Sequence, residues 1–227
     1  MQLANKVAVI TGGGNGIGES VAKSLALQKM KIVLADVNQA ELNRVVKEIK
    51  DLGGETLGIL CDVSKEDQVI ALMDKAVENF GSINFVFANA GIIKDSLMIN
   101  TDKTTGKVKS VMSLDDFQRV INVNLTGAFL TAREGAKKMV DGGFEGVIVF
   151  TSSINKVGQV GQLNYSSTKA SVALWPKILS AEFHMKGIKN IRTAAIAPGY
   201  TATPLLKGMN QDALKAMLQD VHIDRMI

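Results

Sequence analysis

Short apolar runs recur along the chain at 6–11, 31–36, 55–61, 83–88, 146–151 and 190–197, separated by longer stretches with helical spacing of apolar positions near 17–29, 38–52, 65–80, 114–140 and 163–186. Runs such as Val147-Ile148-Val149-Phe150 lack the alternation of a half-exposed strand and predict strands buried on both faces. Strand alternating with helix in this way predicts an α/β fold with a parallel sheet and helices on both faces. Polar residues mark the helix starts. Asn38 precedes 39–50, Ser64 opens a capping-box pattern with Asp67, and Ser113 precedes Leu114-Asp115-Asp116. One polar segment, 94–113, breaks the rhythm. Its Thr104-Thr105-Gly106 core predicts the turn of an exposed hairpin, placed after the fourth strand, where it would border a substrate entrance.

The first run leads into Thr11-Gly12-Gly13-Gly14-Asn15-Gly16-Ile17-Gly18 and then into a helix. Glycines at 12, 16 and 18 suit a sharp turn, close approach to a pyrophosphate and close packing of helix on sheet, while the helix N-terminus offers free N–H groups. The same glycines also suit a purely structural turn. The second run ends in Asp36, about twenty residues further on, where a carboxylate can accept both adenosine ribose hydroxyls. Neither Asn15 nor Val37 supplies a cation for a 2′-phosphate, so the expected cofactor is NAD(H) in preference to NADP(H). Together these features predict a Rossmann-like doubly wound parallel sheet, a three-layer α/β/α sandwich.

Composition narrows the class further. The 227 residues, 46% hydrophobic and 21% charged, suffice for one sizeable core, so residues 1–227 read as a single dinucleotide-binding catalytic domain. The net charge of +4 comes from scattered Lys and Arg with few aromatics, which argues against a nucleic-acid partner. Cys61 is the single cysteine, so no intramolecular disulfide forms, and its place at the end of an apolar run reads as a core thiol. The first strand begins almost at once, and no apolar run reaches membrane-spanning length. The expectation is a cytoplasmic protein without a membrane partner. No metal-ligand spacing stands out.

The segment Thr151–Ala170 carries the candidate chemistry: a strand ends in Ser152-Ser153, and the following helix carries Tyr165 and Lys169 on one face. A lysine ammonium beside a phenol favours the phenolate, which can take a proton from an alcohol or return one to a carbonyl. A serine hydroxyl at the strand end could hold the substrate oxygen.

With these residues in place, the chain resembles the short-chain dehydrogenase/reductase family from Asn5 to about Met217. The resemblance rests on Thr11-Gly12-x-x-x-Gly16-x-Gly18, Asp62-Val63, Asn89-Ala90-Gly91, Asn124 in Val123-Asn124-Leu125, Ser152, Tyr165-x-x-x-Lys169, and Pro198-Gly199 with Thr203. It implies Tyr165 as acid/base and Ser152, thirteen residues earlier, as the orienting serine. Lys169 would bind nicotinamide ribose and lower the tyrosine pKa, and Asn124 would hold a water linking Lys169 to solvent. Cofactor contacts would come from Gly12, Asn15, Gly16, Ile17, Gly18, Asp36, Asp62, Val63, Asn89, Ala90, Gly91, Tyr165, Lys169, Pro198, Gly199 and Thr203.

Lys94-Asp95-Ser96-Leu97-Met98 resembles the Arg/Lys-Asp-x-Leu-Met stretch of 3-oxoacyl-carrier-protein and acetoacetyl-CoA reductases, which implies a 3-oxoacyl or 3-hydroxyacyl thioester on CoA or acyl carrier protein. A small cyclic or polyol alcohol, or a silent NAD-binding sensor, are the competing readings. Leu205, Leu206, Met209 and Met217 are candidates for an apolar wall around an acyl chain or for plain core packing. Asp36 departs from the NADPH habit of those reductases. Ala181 stands where they carry an arginine for the acidic carrier, leaving Lys137 and Lys138 as substitutes. The resemblance implies a homotetramer or homodimer, and a closing helix and last strand that would follow Val221–Ile227.

Overall fold

A computed structural model describes residues 2–203; Leu205, Leu206, Met209 and Met217 lie outside the described residues. Six strands, β1 (Val7–Thr11), β2 (Lys31–Asp36), β3 (Thr56–Leu60), β4 (Phe85–Ala88), β7 (Gly146–Thr151) and β8 (Ile191–Ile196), form one parallel sheet in the order β3-β2-β1-β4-β7-β8. Helices α1 (Gly16–Leu27), α2 (Gln39–Asp51), α3 (Glu66–Phe80), α4 (Leu114–Ile121), α5 (Gly127–Asp141) and α6 (Leu163–Met185) make the crossovers. This is the doubly wound α/β/α sandwich that the pattern predicts.

The two-residue period of a strand explains the two cores. Ala8 and Ile10 of β1, with Ile32 and Leu34 of β2, pack against Ala22 and Ala26 of α1 and Leu42, Val45 and Ile49 of α2. Val7 and Val9, with Val33 and Ala35, join a second core that includes Leu72 and Met73 of α3, Met139 of α5 and Val172 of α6. Each fully buried Ile or Leu here contributes about 1.5–3 kcal/mol. Among the described residues no helix is long and apolar enough to cross a membrane.

The local signals met mixed outcomes. Asn38 Oδ1 accepts from the N–H groups of Ala40 and Glu41, and Ser113 Oγ from that of Asp116, so both caps form. Ser64 does not cap α3: its N–H and hydroxyl both donate to Asp62 Oδ1, and Lys65 takes the cap position without a side-chain bond. The single helix predicted over 114–140 is interrupted by a π-helical turn, Asn122–Thr126, in which Gly127 N–H donates to Asn122 C=O. The polar excursion does form a hairpin, β5 (Ile99–Thr101) with β6 (Val108–Val111), whose turn is tied by Asp102 Oδ1 accepting from Thr104 and Thr105.

Candidate active site

Strand order reverses between β1 and β4, and the C-terminal ends of these strands open a cleft in two adjoining lobes of about 430 and 510 Å3. The first lobe runs from Gly12 and Gly16 past Asp36, Asp62 and Ala90 to Lys169. The second is walled by the loop between β7 and α6, by Asp95 and by Pro198–Thr203. Ile17, Ile93, Thr151, Tyr165 and Thr203 border both lobes, so the phenol stands at their junction.

The glycine turn is built for close approach. Gly12 has φ +65°, and a Cβ there would come within 2.9 Å of Ala90 Cα; a Cβ on Gly18 would lie 2.1 Å from the Gly12 carbonyl oxygen. Turn, β4 and α1 therefore meet backbone to backbone. Asn15 leaves the first turn of α1 without a side-chain cap, and these N–H groups sit at the first lobe. A pyrophosphate fits this cradle.

Asp36 and Arg44 grip Gly14 from two sides. The Gly14 N–H donates to Asp36 Oδ2 at 2.9 Å, and Arg44 Nη2 donates to the Gly14 carbonyl at 3.1 Å. Arg44 also makes bidentate bonds to Glu19 at 2.8 and 3.0 Å and bonds to Glu41 and Glu48. The Arg44 hydrogen bond above all holds the Glu19 carboxyl down at about 2. Sequence reading missed Arg44, although Glu41 and Glu48 at i−3 and i+4 were a visible signal.

Asn89 clamps the strand ends. Its Nδ2 donates to the carbonyls of Thr11 and Gly12, and its Oδ1 accepts from Thr151 Oγ1, joining β1, β4 and β7 beneath the lobe. Asp62 lines the lobe, with Oδ1 taken by Ser64. Val63 is buried against Gly127. Asn124, 1% exposed, sits in the π turn and reads the backbone of Ile92 twice, Oδ1 accepting from its N–H at 2.8 Å and Nδ2 donating to its carbonyl at 2.9 Å. It thereby fixes the floor under Gly91, where an added Cβ would lie 3.3 Å from Asn124 Oδ1 and 3.5 Å from Lys169 Nζ. Thr203 reaches over the turn to Gly16, and the Pro198 carbonyl accepts from Ile154 N–H.

The reacting groups named from the sequence stand in unlike surroundings. Ser152 is 2% exposed and its hydroxyl donates to the Lys169 carbonyl at 2.7 Å. The serine that acts on the Tyr165 phenol, pulling its pKa down, is Ser153, whose Oγ accepts from Asn155 N–H at 3.1 Å. Ser152 and Ser153 follow β7 in extended backbone, with Ser153 at φ −160° and ψ 157°, so neighbouring side chains point to opposite sides. Burial above all raises the Tyr165 pKa, with Ser153 pulling it down and Asp95 pushing it up. Lys169, 4% exposed, donates from Nζ to the Thr151 carbonyl at 2.7 Å, lies 5.5 Å from the Tyr165 ring centroid, and is itself lowered to about 8 by burial. Burial, which disfavours either charged form, dominates at both groups.

The comparisons with known proteins agree with this geometry. A family model described as short chain dehydrogenase matches residues 6–214. The chain belongs to the short-chain dehydrogenase/reductase family. As a member it is an oxidoreductase, and its relatives are named as dehydrogenases and reductases. A cis-4-hydroxycyclohexanecarboxylate dehydrogenase of Sinomonas cyclohexanicum is 32% identical over 98% of this chain and 84% of its own length. A 3-oxoacyl-[acyl-carrier-protein] reductase of Synechocystis sp. is 33% identical over 93% and 81%. Among solved structures, a short-chain dehydrogenase/reductase of Burkholderia phymatum in complex with NAD aligns with a TM-score of 0.80 at 29% identity, covering 94% of this chain and 73% of that one.

Proposed function

We propose that the protein transfers hydride between NAD(H) and a carbonyl/alcohol pair, with Tyr165 exchanging the proton. The observation that carries this reading is the placing of Tyr165 at the junction of the two lobes, with buried Lys169 Nζ 5.5 Å from its ring centroid. The nicotinamide, when bound, supplies the hydride donor or acceptor and a positive charge in its oxidised form. Tyr165 takes the proton of the alcohol in oxidation and gives one to the carbonyl oxygen in reduction. Ser153, rather than Ser152, holds that oxygen in line. Lys169 binds the nicotinamide ribose and steadies the phenolate, and Asn124 keeps the Ile92 backbone in place beside it.

The preference for NAD(H) follows from charge. Asp36 lines the lobe, and the nearby Arg44, which shares Gly14 with it, is occupied by the carboxylates of Glu19, Glu41 and Glu48. A 2′-phosphate would meet net negative charge. The Burkholderia phymatum relative, solved with NAD, supports the same choice.

On the substrate side, the Lys94–Met98 stretch and the Synechocystis sp. relative support a 3-oxoacyl or 3-hydroxyacyl thioester. Lys138 is ion-paired with Asp74, which weakens its case as a carrier-protein contact and favours a CoA-type thioester. The Sinomonas cyclohexanicum relative supports a cyclic alcohol as the second reading. Phe129, Leu174 and Ile178 expose apolar surface on α5 and α6, which supports self-association. Spectrophotometric assay of NADH and NADPH with acetoacetyl-CoA and cyclic ketones tests the reading; turnover of cyclic ketones alone would replace the thioester by the second.

A further inference from the structure

The wall of the second lobe carries a hydrogen-bonded chain that none of the reacting groups needs for proton exchange. Asn155 N–H donates to Ser153 Oγ at 3.1 Å, Asn155 Nδ2 donates to Gln162 Oε1 at 2.9 Å, and Gln162 Nε2 donates to Asp95 Oδ2 at 2.8 Å. Gln162 is 6% exposed, so its amide is held in one orientation with its donor end aimed at Asp95. Asp95 itself stands exposed at the rim of the lobe, and among the described residues its Oδ1 has no hydrogen-bond partner. Segment 94–96 is tied to the same wall by Lys94 C=O accepting from Asn164 Nδ2 and by Ser96 N–H donating to Gly161 C=O. The carboxylate is thus presented, with one oxygen anchored and the other free, into the lobe where the part of a substrate next to its reacting carbonyl must lie.

Resting on the hydride-transfer reading above, we propose that Asp95 selects the substrate: its free oxygen accepts a hydrogen bond from an amide N–H or hydroxyl near the reacting carbonyl, and its charge turns away free carboxylic acids. In chemical terms the lobe favours a neutral thioester with an amide in its arm over the corresponding 3-oxo acid.

Three probes separate these contributions: acetoacetate, ethyl acetoacetate and the N-acetylcysteamine thioester of acetoacetate, which are respectively anionic, neutral without a donor, and neutral with an amide N–H. Wild-type enzyme prefers the thioester to the ester and the ester to the acid in kcat/KM, each step by about fivefold, and the acid's handicap shrinks with added salt. Asp95→Asn, whose side-chain carbonyl still accepts from Gln162, loses most of the discrimination against acetoacetate while binding NADH as wild type does. The same probes are titrated into the enzyme–NADH complex with fluorescence of the bound dinucleotide as readout. Failure of turnover would overturn the thioester reading, whereas the order of binding judges Asp95. Equal affinity for acid and ester in wild type, or an unchanged ratio in Asp95→Asn, overturns the proposal.

Discussion

Ser152 turns its hydroxyl to the Lys169 carbonyl, whereas that of its neighbour Ser153 accepts from Asn155 N–H and pulls down the pKa of the Tyr165 phenol. Adjacent serines in extended backbone thus have separable jobs. Ser153→Ala lowers kcat by about 10²-fold with the fold intact, as loss of a hydroxyl that steadies the substrate oxygen should. Ser152→Ala leaves kcat nearly unchanged and lowers stability by about 1 kcal/mol, the usual yield of a buried hydrogen bond. Steady-state kinetics and urea denaturation of the two variants check this. The reverse pattern would return the orienting role to Ser152.

Gly14 is held through its N–H by Asp36 and through its carbonyl by Arg44. Arg44→Met frees one side of the turn and raises KM for NADH by about tenfold while sparing kcat, since the reacting groups lie at the other end of the lobe. Asp36→Ala narrows the gap between NADH and NADPH. An Arg44→Met enzyme with unchanged KM for NADH would show that the clamp is ornamental.

Burial holds Lys169 at about 8 against an ordinary lysine value of 10.5. Between those two values the unfolded chain still carries a proton that the folded protein has lost, so stability rises with pH across that window. The rise amounts to at most about 3 kcal/mol. The Tyr165 phenol, raised by burial, acts in the opposite direction only above its ordinary value of 10.0. Lys169→Met removes the rise. Urea midpoints of the two proteins at either end of the window decide it, and parallel slopes would contradict the assignment.

Much of this was legible in the apolar pattern. Continuous runs such as Val147–Phe150 marked the six sheet strands because burial on both faces removes the need for alternation, and Thr104-Thr105-Gly106 marked its hairpin turn because Asp102 and Gly106 supply the local bonds and the positive φ. The glycine turn and the Tyr165/Lys169 pair were legible because their spacing is local. The π turn at Asn124 was not, since helical periodicity does not register a one-residue slip in hydrogen bonding. Neither was the Asn155–Gln162–Asp95 chain, whose last link spans 67 positions of sequence and arises only when the loop before α6 folds over segment 94–96. The different partners of the Ser152 and Ser153 hydroxyls were not legible either, because a count of positions does not specify which side an extended residue faces.

The central claim is that Tyr165 exchanges the substrate proton in an NAD(H)-dependent reaction. Absorbance of the reduced nicotinamide, followed with a 3-oxoacyl thioester in wild type and in Tyr165→Phe, tests it most directly. The account predicts NADH consumption by wild type and a loss of about 10³-fold or more in the variant, with NADH affinity retained. Undiminished turnover in Tyr165→Phe would contradict it.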